Sequence, residues 1–161
     1  MKWKRATQGF IDEPILEYLE KLFDEQIEKG HKLRVAVGTD SQVTTIGYNF
    51  ATVILVITEG SGGMIIGATY HDPLLPKGKK GINQRMIKEV SKSIEVAYEI
   101  SELLDLYEIP LEIHADNNPN IARGASNVAL SEAAGYILGM GYEFKIKPDA
   151  WAASSCADSL C

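Results

Sequence analysis

Residues 33–70 read LRVAVGTDSQVTTIGYNFATVILVITEGSGGMIIGATY, and the succession of apolar runs inside them decides the fold. Val35 and Val37 alternate in LRVAVGTD before the composition turns polar, so the spacing predicts a strand ending at Asp40, with SQVTTIGYN (41–49) as a turn region. FATVILVI (50–57) is apolar on both faces and rich in β-branched residues, the composition of a central strand. TEGSGG (58–63) is a glycine-rich turn into a third strand, MIIGATY (64–70). Three successive strands joined by short turns are expected to be antiparallel neighbours.

Upstream of this block, Ile15, Leu16, Leu19, Leu22, Phe23 and Ile27 recur at helical spacing from about Glu13 to Lys29, and Gly30 is the stop. Downstream, HDPLLPKGKKG (71–81) is a loop with His71 and Asp72 in a turn. A long helix then runs from about Ile82 to Tyr107, with Met86, Val90, Ile94, Ala97 and Leu104 as its apolar stripe. LEIHAD (111–116) is a fourth strand, Ser126 to about Met140 a helix stopped by Gly141, and YEFKIK (142–147) a fifth strand. The chain closes on a helix that Asp149 would cap.

This order predicts an α/β fold: a mixed five-stranded sheet in the order 3-2-1-4-5, strand 2 antiparallel, with helices on both faces and an extra N-terminal helix at about 13–29. Right-handed crossovers place the helices. No repeat or linker divides the sequence, so residues 1–161 are expected to form one domain.

Sixteen Lys plus Arg against twenty-two Asp plus Glu leave a net charge of −6, which argues against bulk electrostatic binding of nucleic acid. The two cysteines, Cys156 and Cys161, match neither a zinc spacing nor a disulfide framework and suit a reducing compartment. MKWKRATQGF has no apolar run behind its basic residues, and the longest apolar stretch, Phe50 to Ile57, is too short to span a bilayer. A cytoplasmic protein without membrane association is expected.

In the expected sheet, strands 1, 4 and 5 point the same way, and an acid stands at the end of each: Asp40, Asp116 and Asp149. Carboxylates brought together repel one another unless a hard divalent cation such as Mg²⁺ or Mn²⁺ takes their oxygens. On the long helix Glu89 lies about 90° from the centre of the apolar stripe, within reach of the sheet edge, whereas Glu95 and Glu102 fall opposite it on the solvated side. Asp158, nine residues after Asp149, is half a turn out of phase with it, so only one of the two should serve the site. The wheel favours Asp149, which also fits as a helix N-cap.

The strings VGTDSQ (37–42), QRMIKEV (84–90), IHADNNP (113–119) and above all GYEFKIKPDAWAASSCADS (141–159) resemble the ribonuclease H-like fold, in particular its bacterial YkuK-type branch. The resemblance covers nearly the whole chain after the first helix. It implies Asp40 as the first-strand acid, Glu89 as the helix acid, Asp116 as the fourth-strand acid and Asp149 or Asp158 as the last. In the better-known ribonucleases H the last acid lies within the final helix, in a setting similar to SSCADSLC, which favours Asp158 against the wheel; both stay open. The implied activity is hydrolysis of a phosphodiester to a 5′-phosphate and a 3′-hydroxyl, with two Mg²⁺ or Mn²⁺ ions about 4 Å apart bridged by Asp40.

On that reading Ser41 and Gln42 orient a metal-bound water, and Lys77, Lys79, Lys80, Arg85 and Lys88 hold the phosphate backbone, making nucleic-acid binding local and metal-dependent. Asn117 bonds a phosphate or base, or with Asn118 only opens the turn at Pro119. His114 reads as a histidine packed or bonded within the fold, and Trp151 as core. The alternative function is a non-catalytic ribonuclease H-like binding or regulatory module for protein or nucleic acid. A nucleotide enzyme on a related scaffold would need glycine-rich phosphate loops that are missing.

Overall fold

A computed structural model of the chain describes residues 1–73, 78–115 and 138–146. Its elements are β1 (Lys4–Arg5), β2 (Gly9–Phe10), α1 (Ile15–Glu28), β3 (Leu33–Thr44), β4 (Gly47–Thr58), β5 (Gly62–Asp72), α2 (Lys79–Leu106), β6 (Leu111–Ala115) and β7 (Glu143–Ile146). They form one sheet in the order β2-β1-β5-β4-β3-β6-β7. β3–β4 and β4–β5 are antiparallel ladders, while β6 runs parallel to β3 and β7 parallel to β6. The five strands expected from the sequence are therefore present in the expected order and directions, and the class is α/β with a mixed sheet.

Several boundaries differ from the sequence reading, α2 among them, which starts at Lys79 inside the stretch expected to be loop. β1 and β2 add a short hairpin on the β5 edge, where Lys4 and Arg5 pair with Gly67 and Ile66. Two-residue strands carry no periodicity to read. The first long strand does not stop at Asp40: it continues to Thr44, pairing Ser41 with Phe50, Gln42 with Asn49 and Val43 with Tyr48, so the turn shrinks to Thr45 and Ile46. Backbone pairing holds this extension, although its side chains are partly exposed. β5 likewise runs to Asp72, which places His71 and Asp72 in a strand opposite Asn49 and Tyr48 and not in a turn.

The unbroken register of β3 makes its faces alternate. Val35 and Val37 point into a core with Ile54, Val56 and Ile66 of the sheet, Leu19 and Phe23 of α1, and Val96 and Ile100 of α2. Both described helices thus cover the same face. Ala36 lies on the other face with Ala51, Val53 and Leu55. The expected helices at 126–140 and 149–161 fall outside the described residues except for 138 and 139, which are helical. Gly141 follows them with φ +80° and donates its N–H to the Leu138 carbonyl at 3.0 Å, the expected stop.

The long helix buries Met86, Val90, Ala97 and Leu104 of the expected stripe, and Ser93, Val96 and Ile100 besides. Its stripe is wide because it packs on β3 and β6 and also against α1. No helix of the described residues is long and apolar enough to cross a membrane.

Candidate functional site at the end of the parallel strands

One rung joins the three parallel strands. Thr39 pairs with Ala115, and Ala115 with Ile146. One residue beyond that rung on β3 is Asp40, and one residue beyond it on β6 the sequence has Asp116; three beyond it on β7 comes Asp149. Asp116, Asn117, Asp149 and Asp158 lie outside the described residues, as do Lys77, Trp151 and both cysteines. Past Thr39, β3 keeps its ladder with β4 through Asp40 and Ser41 to Thr44.

Alternation sends Thr39 and Ser41 towards α2. Ser41, 8% exposed, donates its hydroxyl to Glu89 Oε1 at 2.5 Å, and Glu89 is itself only 6% exposed. The flank position that the helical wheel assigns to Glu89 thus carries it onto the sheet, while Glu95 and Glu102 are exposed. Burying a carboxylate costs several kcal/mol of hydration, to be offset by charge-assisted hydrogen bonds or a nearby cation. Here Ser41 supplies the bond and Arg85, one helical turn earlier, brings Nε to 3.8 Å from the same oxygen. One turn further along α2, Ser93 donates to Thr39 Oγ1 at 2.9 Å and Thr39 is hydrogen-bonded to Thr52 at 2.9 Å, a buried hydroxyl chain that locks helix to sheet.

Asp40 rises from the opposite face of β3, partly exposed, next to Ala51 across the ladder. Ser41 is therefore the β3 residue whose hydroxyl bonds Glu89. Gln42 is exposed on the Asp40 face, paired with Asn49, whose Oδ1 accepts from His71 Nδ1 at 2.8 Å.

The basic residues divide. Lys79 and Lys80 are exposed at the start of α2. Arg85 lies over the Tyr48 ring at 5.8 Å, and Lys88 pairs with buried Asp72 and lies over Phe50 and Tyr70, which stack with centroids 5.0 Å apart. Burial and then the Asp72 charge push the Tyr70 hydroxyl well above its ordinary range, so it stays neutral. Asp72 and the Thr39–Ser93 chain are contributions that the sequence reading missed. The signal for Ser93 was its place four residues after Glu89 on the sheet-facing side of α2.

On the far face, His114 is fully buried and bonds Glu112 Oε2 through Nε2 at 2.9 Å, the bonded role its sequence position suggests. Arg34 and Lys145 reach Glu112 Oε1 at 3.4 and 3.3 Å. Burial holds the His114 pKa below the ordinary histidine value. Burial alone would raise Glu112, but the hydrogen bonds from His114 and Lys145 and the charges of Lys145 and Arg34 outweigh it and lower its pKa.

The family model for ribonuclease H-like proteins matches residues 15–161. The chain belongs to the ribonuclease H-like family. No curated protein and no solved structure matches it. The ribonuclease H-like match begins at Ile15, the first residue of α1, so the β1–β2 hairpin is an addition to the family's part of the chain.

Proposed function

We propose that this ribonuclease H-like chain is a divalent-metal-dependent nuclease that hydrolyses phosphodiester bonds in RNA or DNA. The reading is supported by the common rung Thr39–Ala115–Ile146, after which the sequence has Asp40 and Asp116 one residue on and Asp149 three residues on, and by Glu89, bonded to Ser41 next to Asp40. The donors are hard carboxylate oxygens, the ligand type that Mg²⁺ and Mn²⁺ take. Asp40, Glu89, Asp116 and Asp149 or Asp158 would hold the ions, which polarise the phosphate and activate water when bound. Ser41 fixes the Glu89 carboxylate and Gln42 lies on the Asp40 face. Lys79 and Lys80, with Arg85 and Asn117, would contact the phosphate backbone.

The deciding experiment titrates Mn²⁺ calorimetrically into the protein and into Asp40→Asn, then assays cleavage of single-stranded, duplex and hybrid substrates. Saturable Mn²⁺ binding lost in Asp40→Asn, with metal-dependent cleavage, supports the reading. Metal binding that is absent, or indifferent to Asp40, sinks it. A second reading, a non-catalytic ribonuclease H-like module that binds protein or nucleic acid, is favoured by one contact: Glu89 already has an internal cation, Arg85, at 3.8 Å. Tight metal binding without cleavage of any substrate selects that reading.

A further inference from the structure

We propose that the channel between α1 and α2 docks a basic amphipathic helix of a partner protein. Two cavities, of about 850 and 460 Å³, meet at Glu99: the first lies between the N-terminal segment up to Ile15 and α2, the second between α1 and α2. The second cavity is mainly apolar and the first mixed, and apolar side chains stand open in both: Phe10 is 70% exposed, Leu106 76% and Leu16 39%, the last in spite of its place in the apolar pattern of α1. Trp3 and Ile15, both buried, back the first cavity, so these side chains are held by a packed base.

The rim is acidic. Seven carboxylates and only two lysines line the two cavities. Glu13 pairs with Lys21, and Glu95 with Lys92. Asp12, Glu17, Glu20, Glu99 and Glu102 form no ion pair among the described residues, so acids outnumber paired cations along this rim. Open apolar side chains flanked by such acids complement a helix with leucine-like residues on one face and Lys or Arg on its flanks. Lys92 to Leu106 spans about 21 Å at 1.5 Å per residue, the length of a four-turn helix. A second copy of this chain, at net charge −6, would bring like charge to the channel.

The test uses a fluorescein-labelled 14-residue Leu/Lys peptide with leucines at i, i+3, i+4 and i+7, its Leu/Glu counterpart, and the full chain, read by anisotropy. Saturable one-to-one binding of the Leu/Lys peptide is expected, weakened about tenfold by Glu99→Lys and by Leu106→Ser. Glu59→Lys, the same charge change on the β4–β5 turn outside both cavities, should leave it unchanged. The substituted side chains are exposed, and far-UV circular dichroism confirms that each variant is folded. Equal weakening by Glu59→Lys and Glu99→Lys, no effect of Leu106→Ser, absence of saturable binding, or binding of the Leu/Glu peptide overturns the proposal. So does a dimer in sedimentation that Leu106→Ser dissolves, because the occupant is then a second copy.

Discussion

At the scale of single residues, two buried carboxylates show how one charge is held in two ways. Glu89 leans on the Ser41 hydroxyl at 2.5 Å with Arg85 behind it. Removing the hydroxyl leaves the charge buried with less compensation, so Ser41→Ala should destabilise the fold by about 1–3 kcal/mol, read from the urea midpoint. Glu89→Gln removes the charge but keeps an acceptor for Ser41, so it should cost less than Ser41→Ala, since a buried charge is itself expensive. On the nuclease reading the same variant loses Mn²⁺ affinity, which separates the residue's ligand role from its structural one. Glu112 depends instead on His114, Lys145 and Arg34. A histidine whose folded pKa is depressed binds its proton more readily when unfolded, so stability falls as pH drops through the ordinary histidine value, near 6.5, towards the folded value. Glu112, with its folded pKa lowered, adds a second loss as pH falls below the ordinary glutamate range and through its folded pKa. Urea midpoints from pH 7.5 to about 2.5 should therefore decline in two steps, and His114→Gln should flatten the upper one.

At the scale of elements, the β3–β4 hairpin carries the prediction that sequence pattern alone would not suggest. Gly47 has φ +152°, and a Cβ there would meet the Asp72 carbonyl oxygen and stand 2.7 Å from Pro73 Cα. Both neighbours are backbone, so Gly47→Ala should lower stability by about 1–3 kcal/mol, measured by thermal or urea unfolding. The pairing that creates this crowding was invisible in the side chains. SQVT alternates without a clear apolar face, and its pairing with GYNF uses backbone groups that every residue possesses. By contrast, FATVILVI declared itself because a strand buried on both faces must be apolar throughout. Glu89 was legible for a similar reason: helical phase follows from residue counting, and the flank of a sheet-covering helix meets the sheet edge. The Ser41–Glu89 bond was not, since it depends on β3 continuing straight through Asp40, and that continuation fixes which side chain faces α2. The β1–β2 hairpin offered two residues per strand, a single period of the strand alternation and so no repeat to read.

At the scale of the whole molecule, a chain of net charge −6 has to approach phosphate with little general attraction. The basic side chains nearest the candidate site are partly committed inside the protein: Lys88 to Asp72, and Arg85 to Glu89 and Tyr48. Lys79 and Lys80 remain exposed there. Each phosphate neutralised by a lysine or arginine contributes a slope of roughly −0.7 to −0.9 in log K against log salt, so two or three contacts give a total slope of about −1.5 to −3. On the nuclease reading, most of the positive charge seen by the substrate comes from bound divalent ions, which invert the local field of the acid cluster. Binding of a labelled oligonucleotide to the protein in Ca²⁺, followed by anisotropy from 50 to 300 mM KCl, should show that shallow slope, and chelation should abolish binding. Lys79→Ala with Lys80→Ala should flatten the slope by about 1.5 to 2, whereas Asp40→Asn should remove the dependence on the divalent ion. A steep slope that persists after chelation would mean that the chain binds nucleic acid by a basic surface elsewhere, and that the acids at the strand ends do not organise the contact.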